Sequence, residues 1–197
     1  LTVTNEKYSH PEIDLKNKEG IIKGGYLFED KTIKGINVNL IGSGTIFREC
    51  IEASEILLKE FNIGSRLYSI TSYSELEREA RSIKRKNTLD PANKKQSYIE
   101  KLFNNDDLII ATSDYIRAYS QLISTYVKNK FTPLGTDGFG RSDTRKNLRD
   151  FFEVDSPHIV LNTLYSLFEE GKIPIEIVEK AIKKYNFQTN RDDPWRL

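Results

Sequence analysis

At 197 residues the chain is long enough for one domain with its own core, or for a domain with an extended arm, but it is short for two full domains. Its 30 basic and 29 acidic residues give a formal net charge of +1, which argues against a nucleic-acid-binding surface. The single cysteine, Cys50, excludes an internal disulfide, and no stretch approaches the roughly 20 apolar residues of a membrane span. The composition predicts a cytoplasmic protein without nucleic-acid or membrane partners.

The first 19 residues are polar and show neither the period of a strand nor that of a helix. We therefore interpret 1–19 as an arm or linker from a preceding domain and 20–197 as the domain proper. Because residue 1 is Leu, we expect the chain to be part of a larger protein. The apolar residues within 21–28 suggest a first strand, and the alternating segment 36–41 predicts a second that ends in a tight turn at 42–44.

A helix follows this turn, because apolar residues recur from Ile46 to Phe61 at the spacing of a single buried stripe. We expect Gly64 to be the left-handed residue that ends this helix. Residues 66–70 predict the next strand. Ser74 and Glu77 have the spacing of a capping box, which predicts the start of a second, highly charged helix.

The short apolar run 107–112 predicts a strand that is covered on both faces. Ser113 or Asp114 is expected to cap a helix that extends to about Val127, with Ile116, Tyr119, Ile123 and Tyr126 on its inner face. A strand at 131–134 and three helices complete the predicted elements; these helices span about 143–153, 157–170 and 174–187. The alternation of strands and helices predicts a largely parallel sheet with helices on both faces.

The turn Gly42-Ser43-Gly44 invites comparison with dinucleotide-binding turns. The third glycine of that pattern would fall at Phe47, and no acidic residue ends the next strand. We therefore interpret the two glycines as backbone geometry.

Neither histidine has a recognisable catalytic partner nearby in the sequence. His10 lies in the predicted arm, and His158 lies in the first turn of a predicted helix, where a surface or helix-end role is expected. Cys50 lies on an apolar stripe, which indicates a core thiol. The sequence predicts no catalytic, cofactor-binding or metal-binding residue.

The most unusual segment is 135–145, which has three glycines in its first six residues. Glycines lose backbone entropy on ordering, so we expect a partner to fix the shape of this loop. We predict that it contacts another domain or a second subunit. The candidate interface residues are Asp137, Phe139, Arg141, Asp143 and Arg145.

The string Gly135-Thr136-Asp137-Gly138-Phe139-Gly140-Arg141-Ser142-Asp143-Thr144-Arg145, with Phe152-Glu153-Val154-Asp155 after it, resembles the carboxy-terminal domain of the homodimeric pyruvate dehydrogenase family, a transketolase-like family. Leu40-Ile41-Gly42-Ser43-Gly44 and Ser69-Ile70-Thr71-Ser72 fall in the same order as in that family. The resemblance spans nearly the whole chain. It implies a three-layer α/β/α sandwich on a mixed, mostly parallel five-stranded sheet.

The resemblance also implies a reaction for the full-length enzyme: pyruvate is decarboxylated with thiamine diphosphate and magnesium, and the acetyl unit passes to lipoyl groups. The implied partners are the upstream domains, the second subunit of a homodimer and the dihydrolipoyl acetyltransferase component. The cofactor motif of the family needs paired asparagines after Gly-Asp-Gly, whereas Asn104-Asn105 precedes Asp137-Gly138 here. The fragment is therefore expected to bind no cofactor and to be inactive alone.

The sequence departs from the family within 84–91, where Lys86 and Asp90 replace the tryptophan and histidine that relatives commonly have. Two alternatives stay open. The chain could be the same domain of another transketolase-like enzyme that acts on a different ketone or 2-oxo acid. It could also be a free-standing nucleotide-binding module built on Gly42-Ser43-Gly44.

Overall fold

A computed structural model describes residues 7–9 and 11–196, and in it five strands form one mixed sheet in the order β1-β3-β2-β4-β5. β1 pairs with β3 in antiparallel fashion, whereas the β2–β3, β2–β4 and β4–β5 pairs are parallel. The strands are β1 (Gly25–Lys31), β2 (Asn37–Ser43), β3 (Gly64–Ile70), β4 (Ile109–Thr112) and β5 (Phe131–Leu134). The predicted mixed, mostly parallel five-stranded sheet is confirmed.

Eight α-helices lie within the described ranges. They are α1 (Lys18–Lys23), α2 (Phe47–Phe61), α3 (Tyr73–Leu89), α4 (Tyr98–Leu102), α5 (Arg117–Gln121), α6 (Arg145–Phe151), α7 (Ser156–Glu169) and α8 (Ile175–Lys184). No helix in the described part of the chain has both the length and the apolar character needed to cross a bilayer.

The sheet has a separate hydrophobic core on each face, because successive side chains of a strand point to opposite sides. Leu40 and Leu67 point into the core beneath α2, α7 and α8, whereas Ile41 and Tyr68 point into the core beneath α3 and α4. β4 is buried along its whole length, as its apolar sequence predicts. Both faces of the sheet are therefore covered by helices of this chain.

The amino-terminal boundary differs from the sequence interpretation. Ile21 and Ile22, which were assigned to the first strand, lie in α1, and the strand begins at Gly25. Gly24, with a φ of 104°, ends this helix and allows the chain to enter β1 directly. α1 crosses the predicted domain boundary at residue 20, and that boundary stays a prediction. The segment 1–6 and His10 lie outside the described residues.

Two predicted helix ends are wrong by two residues. Asn62, with a φ of 53°, is the left-handed residue after α2, and Gly64 is already the first residue of β3. Position 64 nevertheless needs a glycine, because a Cβ atom there would lie 2.1 Å from the Asn37 Oδ1 atom. α3 is capped by Ser72, whose hydroxyl accepts from the Glu75 backbone N–H at 3.1 Å, and not by Ser74. A complete capping box occurs instead at Ser97 and Glu100, at the start of α4.

The predicted helix from 113 to 127 is the least accurate expectation. Residues 113–116 form a loop, α5 has only five residues, and a separate 3-10 turn follows at Ser124–Tyr126. Of the predicted inner face, Ile123 is fully buried, whereas Ile116 is 54% exposed. At α6 the cap is Thr144, whose hydroxyl accepts from the Asn147 backbone N–H at 3.3 Å.

Candidate functional site

A cleft of about 620 Å³ lies at the edge of the sheet where the parallel strands β2 and β4 end. The chain leaves β2 towards β3 on one side and leaves β4 towards β5 on the other side. The connections therefore diverge between these two strands, which is the topological switch point where open α/β sheets generally bind ligands. We call this cavity the switch-point cleft; Ser43, Gly44, Ile70, Tyr73 and Asp114 are among the residues that line it.

Aromatic side chains from both faces of the sheet line the switch-point cleft. Phe28 and Phe47 meet edge to face at 5.2 Å between ring centroids, on the face covered by α2. On the opposite face, Tyr73 meets Tyr119 at 5.6 Å, and Tyr119 meets Tyr115 at 5.4 Å. No local sequence pattern indicates this aromatic cluster, because its members are far apart along the chain.

Hydroxyl groups lie at the base of the switch-point cleft. The Ser43 hydroxyl donates to the Ser113 hydroxyl at 3.2 Å, linking the ends of β2 and β4. The Tyr73 side chain is 1% exposed, and its hydroxyl oxygen is inaccessible to solvent. Burial raises the pKa of the Tyr73 hydroxyl well above its ordinary value. The Thr112 hydroxyl, at the end of β4, is also buried.

The glycine turn beside the switch-point cleft behaves as interpreted from the sequence. A Cβ on Gly42 would lie 2.8 Å from the Cys50 Sγ atom and 2.9 Å from the Phe47 Cα atom, so this position permits close packing of β2 against α2. Gly44 has a φ of 56° and open space around it, so a glycine is favoured there by the left-handed backbone and not by close packing. Cys50 is buried, and burial raises the pKa of its thiol to about 12, in agreement with the predicted core thiol.

The predicted interface residues lie on one loop but make different contacts. The Asp137 carboxylate accepts from the Arg117 backbone N–H at 3.0 Å and also from the Arg117 Nε–H group. Arg117 therefore occupies the Asp137 carboxylate within this chain. The Arg141 guanidinium instead lies 5.3 Å from the centroid of the Phe151 ring.

Phe139 is an exposed member of this set, with 80% of its surface accessible. Asp143 stabilises the start of α6, since its carboxylate accepts from the Thr144 backbone N–H at 2.6 Å and from the Asn147 side chain at 2.8 Å. Arg145 is the first residue of α6 and lines a smaller cavity of about 200 Å³ together with Arg141. Whether the loop forms an interface stays a prediction.

The described residues do not fit a thiamine diphosphate and magnesium site. Asn105 precedes β4, and its Oδ1 atom accepts from Asn39 at 2.8 Å, whereas Asp137 follows β5. Because β4 and β5 are parallel, these two residues lie at opposite edges of the sheet and cannot hold one metal ion. The three metal-ligand side chains that do cluster in the described part of the chain are Asp150, Asp155 and His158.

That cluster already has internal partners. His158 is 5% exposed, and its Nδ1 atom lies 2.6 Å from the Asp155 carboxylate, which also caps α7 by accepting from the His158 backbone N–H. Arg191 contacts the Asp150 carboxylate at 3.4 Å. His158 therefore has the predicted helix-end position, although its ring is buried, and the cluster is explained by helix capping.

Comparison with known proteins supports the resemblance noted in the sequence. The family model described as "Transketolase-like TK C-terminal domain" matches residues 24–155. The chain is 44% identical over 198 residues to the pyruvate dehydrogenase E1 component of Pseudomonas aeruginosa and 40% identical over 198 residues to that of Escherichia coli K12. In both comparisons 98% of this chain matches 22% of the relative, so the chain spans about a fifth of their length.

Solved transketolase structures have the same fold. The chain matches the transketolase of Pichia stipitis with a TM-score of 0.55 and 15% identity, over 78% of this chain and 19% of that one. The transketolase of Leishmania mexicana gives a TM-score of 0.52 and 17% identity, over 79% of this chain and 20% of that one. The chain belongs to the transketolase-like C-terminal domain family and is homologous to the carboxy-terminal region of pyruvate dehydrogenase E1 components.

Proposed function

We propose that this chain is the carboxy-terminal assembly domain of a decarboxylating pyruvate dehydrogenase. The longer polypeptide would decarboxylate pyruvate and transfer the acetyl unit to lipoyl groups of the dihydrolipoyl acetyltransferase component. The observation that supports this proposal most strongly is the 44% identity to a pyruvate dehydrogenase E1 component across 98% of the chain. A similarity of that extent covers both cores and the loop 135–145, not a single motif.

In this proposal the upstream domains hold thiamine diphosphate and magnesium. The cofactor supplies the electron sink for decarboxylation, and the protein supplies its binding and orientation. This chain contributes no such group, because Asp137 is bound to Arg117 and Asn105 lies at the opposite edge of the sheet. Its role is to stabilise the assembled enzyme in the cytoplasm, through contacts with the upstream domains and with the second subunit of a homodimer.

The exposed part of the loop 135–145 is the proposed contact surface. Phe139 is a large apolar side chain that is 80% exposed. Arg141 follows it by two residues, and its guanidinium lies over the Phe151 ring. Aromatic residues, phenylalanine included, and arginine are enriched in protein interfaces relative to the rest of the surface. Asp137 fixes the base of this loop to α5, so the exposed residues are presented on a supported backbone.

The proposed reaction is tested with the longer polypeptide that contains this chain. It is supplied with thiamine diphosphate, magnesium and the lipoyl domain of the acetyltransferase component, and release of carbon dioxide and acetylation of the lipoyl domain are measured. We expect both products from pyruvate. A ketose phosphate and 2-oxobutyrate serve as competing substrates, and preferential turnover of either one would assign the domain to a different transketolase-like enzyme.

The assignment of cofactor binding to the upstream domains is tested with the chain alone. Calorimetric titration of the 197-residue chain with thiamine diphosphate and magnesium is expected to show no saturable binding. The longer polypeptide, titrated under the same conditions, is the positive control. Micromolar binding by the chain alone would contradict the assignment of the cofactor to the upstream domains.

A further inference from the structure

A second groove, of about 560 Å³, lies between the carboxyl-terminal half of α3, the loop that follows this helix and the segment 125–128. It shares no lining residue with the switch-point cleft or with the loop 135–145. Three lysines, Lys84, Lys94 and Lys128, are among its lining residues, and we call it the basic groove. The proposed function gives it no role.

The lysines of the basic groove have no anionic partner in the described part of the chain. Lys94 and Lys128 form no ion pair there, and the Lys84 ammonium lies 5.8 Å from the centroid of the Tyr126 ring. By contrast, Lys130 pairs with a glutamate at 2.8 Å. Positive charges that no carboxylate neutralises attract anions from solution.

The carboxylates near the basic groove are engaged in local structure. Glu100 lines it and accepts from the Ser97 backbone N–H and from the Ser97 hydroxyl, at 2.7 Å each, in the capping box of α4. Asp90 accepts from the Asn93 side chain at 2.9 Å. Because the lining has three lysines and one such glutamate, the basic groove keeps a net positive charge.

The loop that carries Lys94 is held against α3. The Asn87 side chain accepts from the Lys95 backbone N–H at 2.9 Å and donates to the Lys95 carbonyl oxygen at 2.8 Å. Pro91 restricts the backbone of the same loop further. A backbone that is ordered in advance lowers the entropy lost when a partner binds.

The basic groove is elongated and has an apolar floor. Ala80, Ile83 and Asn87 line it on successive turns of α3, so it follows the helix for about 10 Å. Tyr126 and Val127 complete the floor and pack against the core beneath α3. This length accommodates about three residues of an extended chain, and a single phosphate or carboxylate would fill only part of it.

We propose that the basic groove binds an acidic segment of a partner protein in extended form. Carboxylates of the segment lie against Lys84, Lys94 and Lys128, and an apolar side chain between them contacts the floor. An apolar centre with a polar rim is the usual composition of a protein interface. The formal net charge of +1 argues against a nucleic acid, which requires an extended basic surface.

The probe is a fluorescent peptide with glutamates on both sides of a central leucine, titrated with the 197-residue chain in an anisotropy assay. We expect saturable binding that weakens about tenfold in about 0.5 M salt, because salt screens exposed charges. A peptide with glutamines in place of the glutamates should bind about tenfold more weakly. Lys94→Glu combined with Lys128→Glu should also weaken binding of the glutamate peptide about tenfold, since it reverses two charges of the groove.

Lys18→Glu combined with Lys34→Glu is the matched control, because it changes the net charge equally at exposed positions outside the basic groove. It should bind the glutamate peptide with nearly parental affinity. Both double variants should melt at nearly the parental temperature, since all four lysines are exposed.

Three results of these titrations would overturn the proposal: no saturation at millimolar concentration, equal binding of the glutamine peptide, or equal affinity of the two double variants. Inorganic tripolyphosphate and a uridine oligonucleotide serve as competitors. Displacement of the probe by tripolyphosphate at a lower concentration than the unlabelled peptide requires would indicate a site for small anions. Tighter binding of the oligonucleotide would indicate a nucleic-acid surface, and either result contradicts the proposal.

Discussion

The Asp137 carboxylate binds both the backbone N–H and the side-chain Nε–H of Arg117, so the loop after β5 is joined to the start of α5. The Arg117 guanidinium also lies 5.0 Å from the centroid of the Trp195 ring, near the carboxyl end of the described chain. Gly138, with a φ of 94°, lies against the backbone of Trp195. Three segments that are distant in sequence therefore meet around the Asp137–Arg117 pair.

Replacement of this carboxylate should destabilise the chain itself. Asp137→Asn weakens two hydrogen bonds, one of them to a cation, and we expect the free energy of unfolding to fall by about 1–2 kcal/mol in urea titrations. Asp106→Asn is the control, because Asp106 is exposed; it should change the free energy by less than about 0.5 kcal/mol. Equal stability of the two variants would show that the Asp137–Arg117 contact contributes nothing to folding.

Substitutions in the exposed part of the loop 135–145 should affect the longer polypeptide and leave the stability of the isolated chain nearly unchanged. In the longer polypeptide, Phe139→Ala combined with Arg141→Ala is expected to weaken dimer assembly or lower turnover, because it removes an apolar anchor and a cation from the proposed contact surface. The isolated chain should unfold at nearly the parental urea concentration. Sedimentation, activity assays and urea titration provide the three measurements.

The control for this double variant is Leu89→Ala combined with Arg85→Ala, since both residues are exposed on the last turns of α3. It should change neither assembly nor turnover. If the loop variant retains parental assembly and turnover while only the isolated chain loses stability, the loop is internal scaffolding.

The sequence predicted the buried strands β2 and β4 well and the helix ends poorly, for a physical reason. The apolar residues of β2 and β4 must be buried in any arrangement of the sheet, so their pattern alone locates them. Helix ends depend on which of several polar residues reaches a free backbone N–H. Ser72 and Ser74 each precede a glutamate by three residues, so the sequence pattern fits both, and the helix uses Ser72.

The switch-point cleft could not be predicted from the sequence for a different reason. Phe28 and Tyr119 are far apart in the sequence. They line the same cavity because the sheet order reverses between β2 and β4. No local pattern records that reversal. At the turn Gly42-Ser43-Gly44, by contrast, the missing features of the dinucleotide pattern are visible in the sequence, and the structure shows close packing at Gly42 and a left-handed backbone at Gly44.

The two glycines of that turn should respond differently to alanine. Gly42→Ala places a methyl group against the backbone of Phe47 and the Cys50 thiol, so we expect a loss of about 2–3 kcal/mol in the free energy of unfolding. Gly44→Ala meets open space but has a left-handed backbone, and about 1 kcal/mol is expected. Thermal or urea unfolding of both variants tests this order, and a greater loss for Gly44→Ala would contradict it.

Alkaline pH should destabilise the chain. Burial raises the pKa of the Cys50 thiol to about 12 and that of the Tyr68 hydroxyl to about 12, whereas the unfolded values are about 8.5 and 10. The folded state therefore holds these protons more tightly, so their contribution is fully present below pH 8.5 and is lost as pH rises towards 12. Urea midpoints should fall from pH 8 to pH 10.5. Cys50→Ala should show a smaller fall between pH 8.5 and 10, and an identical fall would exclude the thiol as a cause.

Glu49 joins three helices at a half-buried position. One carboxylate oxygen accepts from the Arg149 guanidinium on α6 at 2.7 Å, and the other accepts from the Ser156 backbone N–H at the start of α7 at 2.9 Å. Only 13% of the Glu49 side chain and 16% of the Arg149 side chain are exposed, so water screens this pair weakly. Removal of the negative charge would leave the Arg149 cation without its carboxylate partner at a desolvated position.

We therefore expect Glu49→Gln to lower the free energy of unfolding by about 2–3 kcal/mol, because breaking one side of a buried ion pair leaves an uncompensated charge. Arg149→Met should cost less than Glu49→Gln, since it removes the cation and leaves Glu49 bonded to the Ser156 backbone N–H. Glu52→Gln, an exposed position on the same helix, is the control and should change the free energy by less than about 0.5 kcal/mol. Urea titration of the three variants measures these differences. If Glu49→Gln and Glu52→Gln unfold at the same urea concentration, Glu49 does not stabilise the contact between α2, α6 and α7.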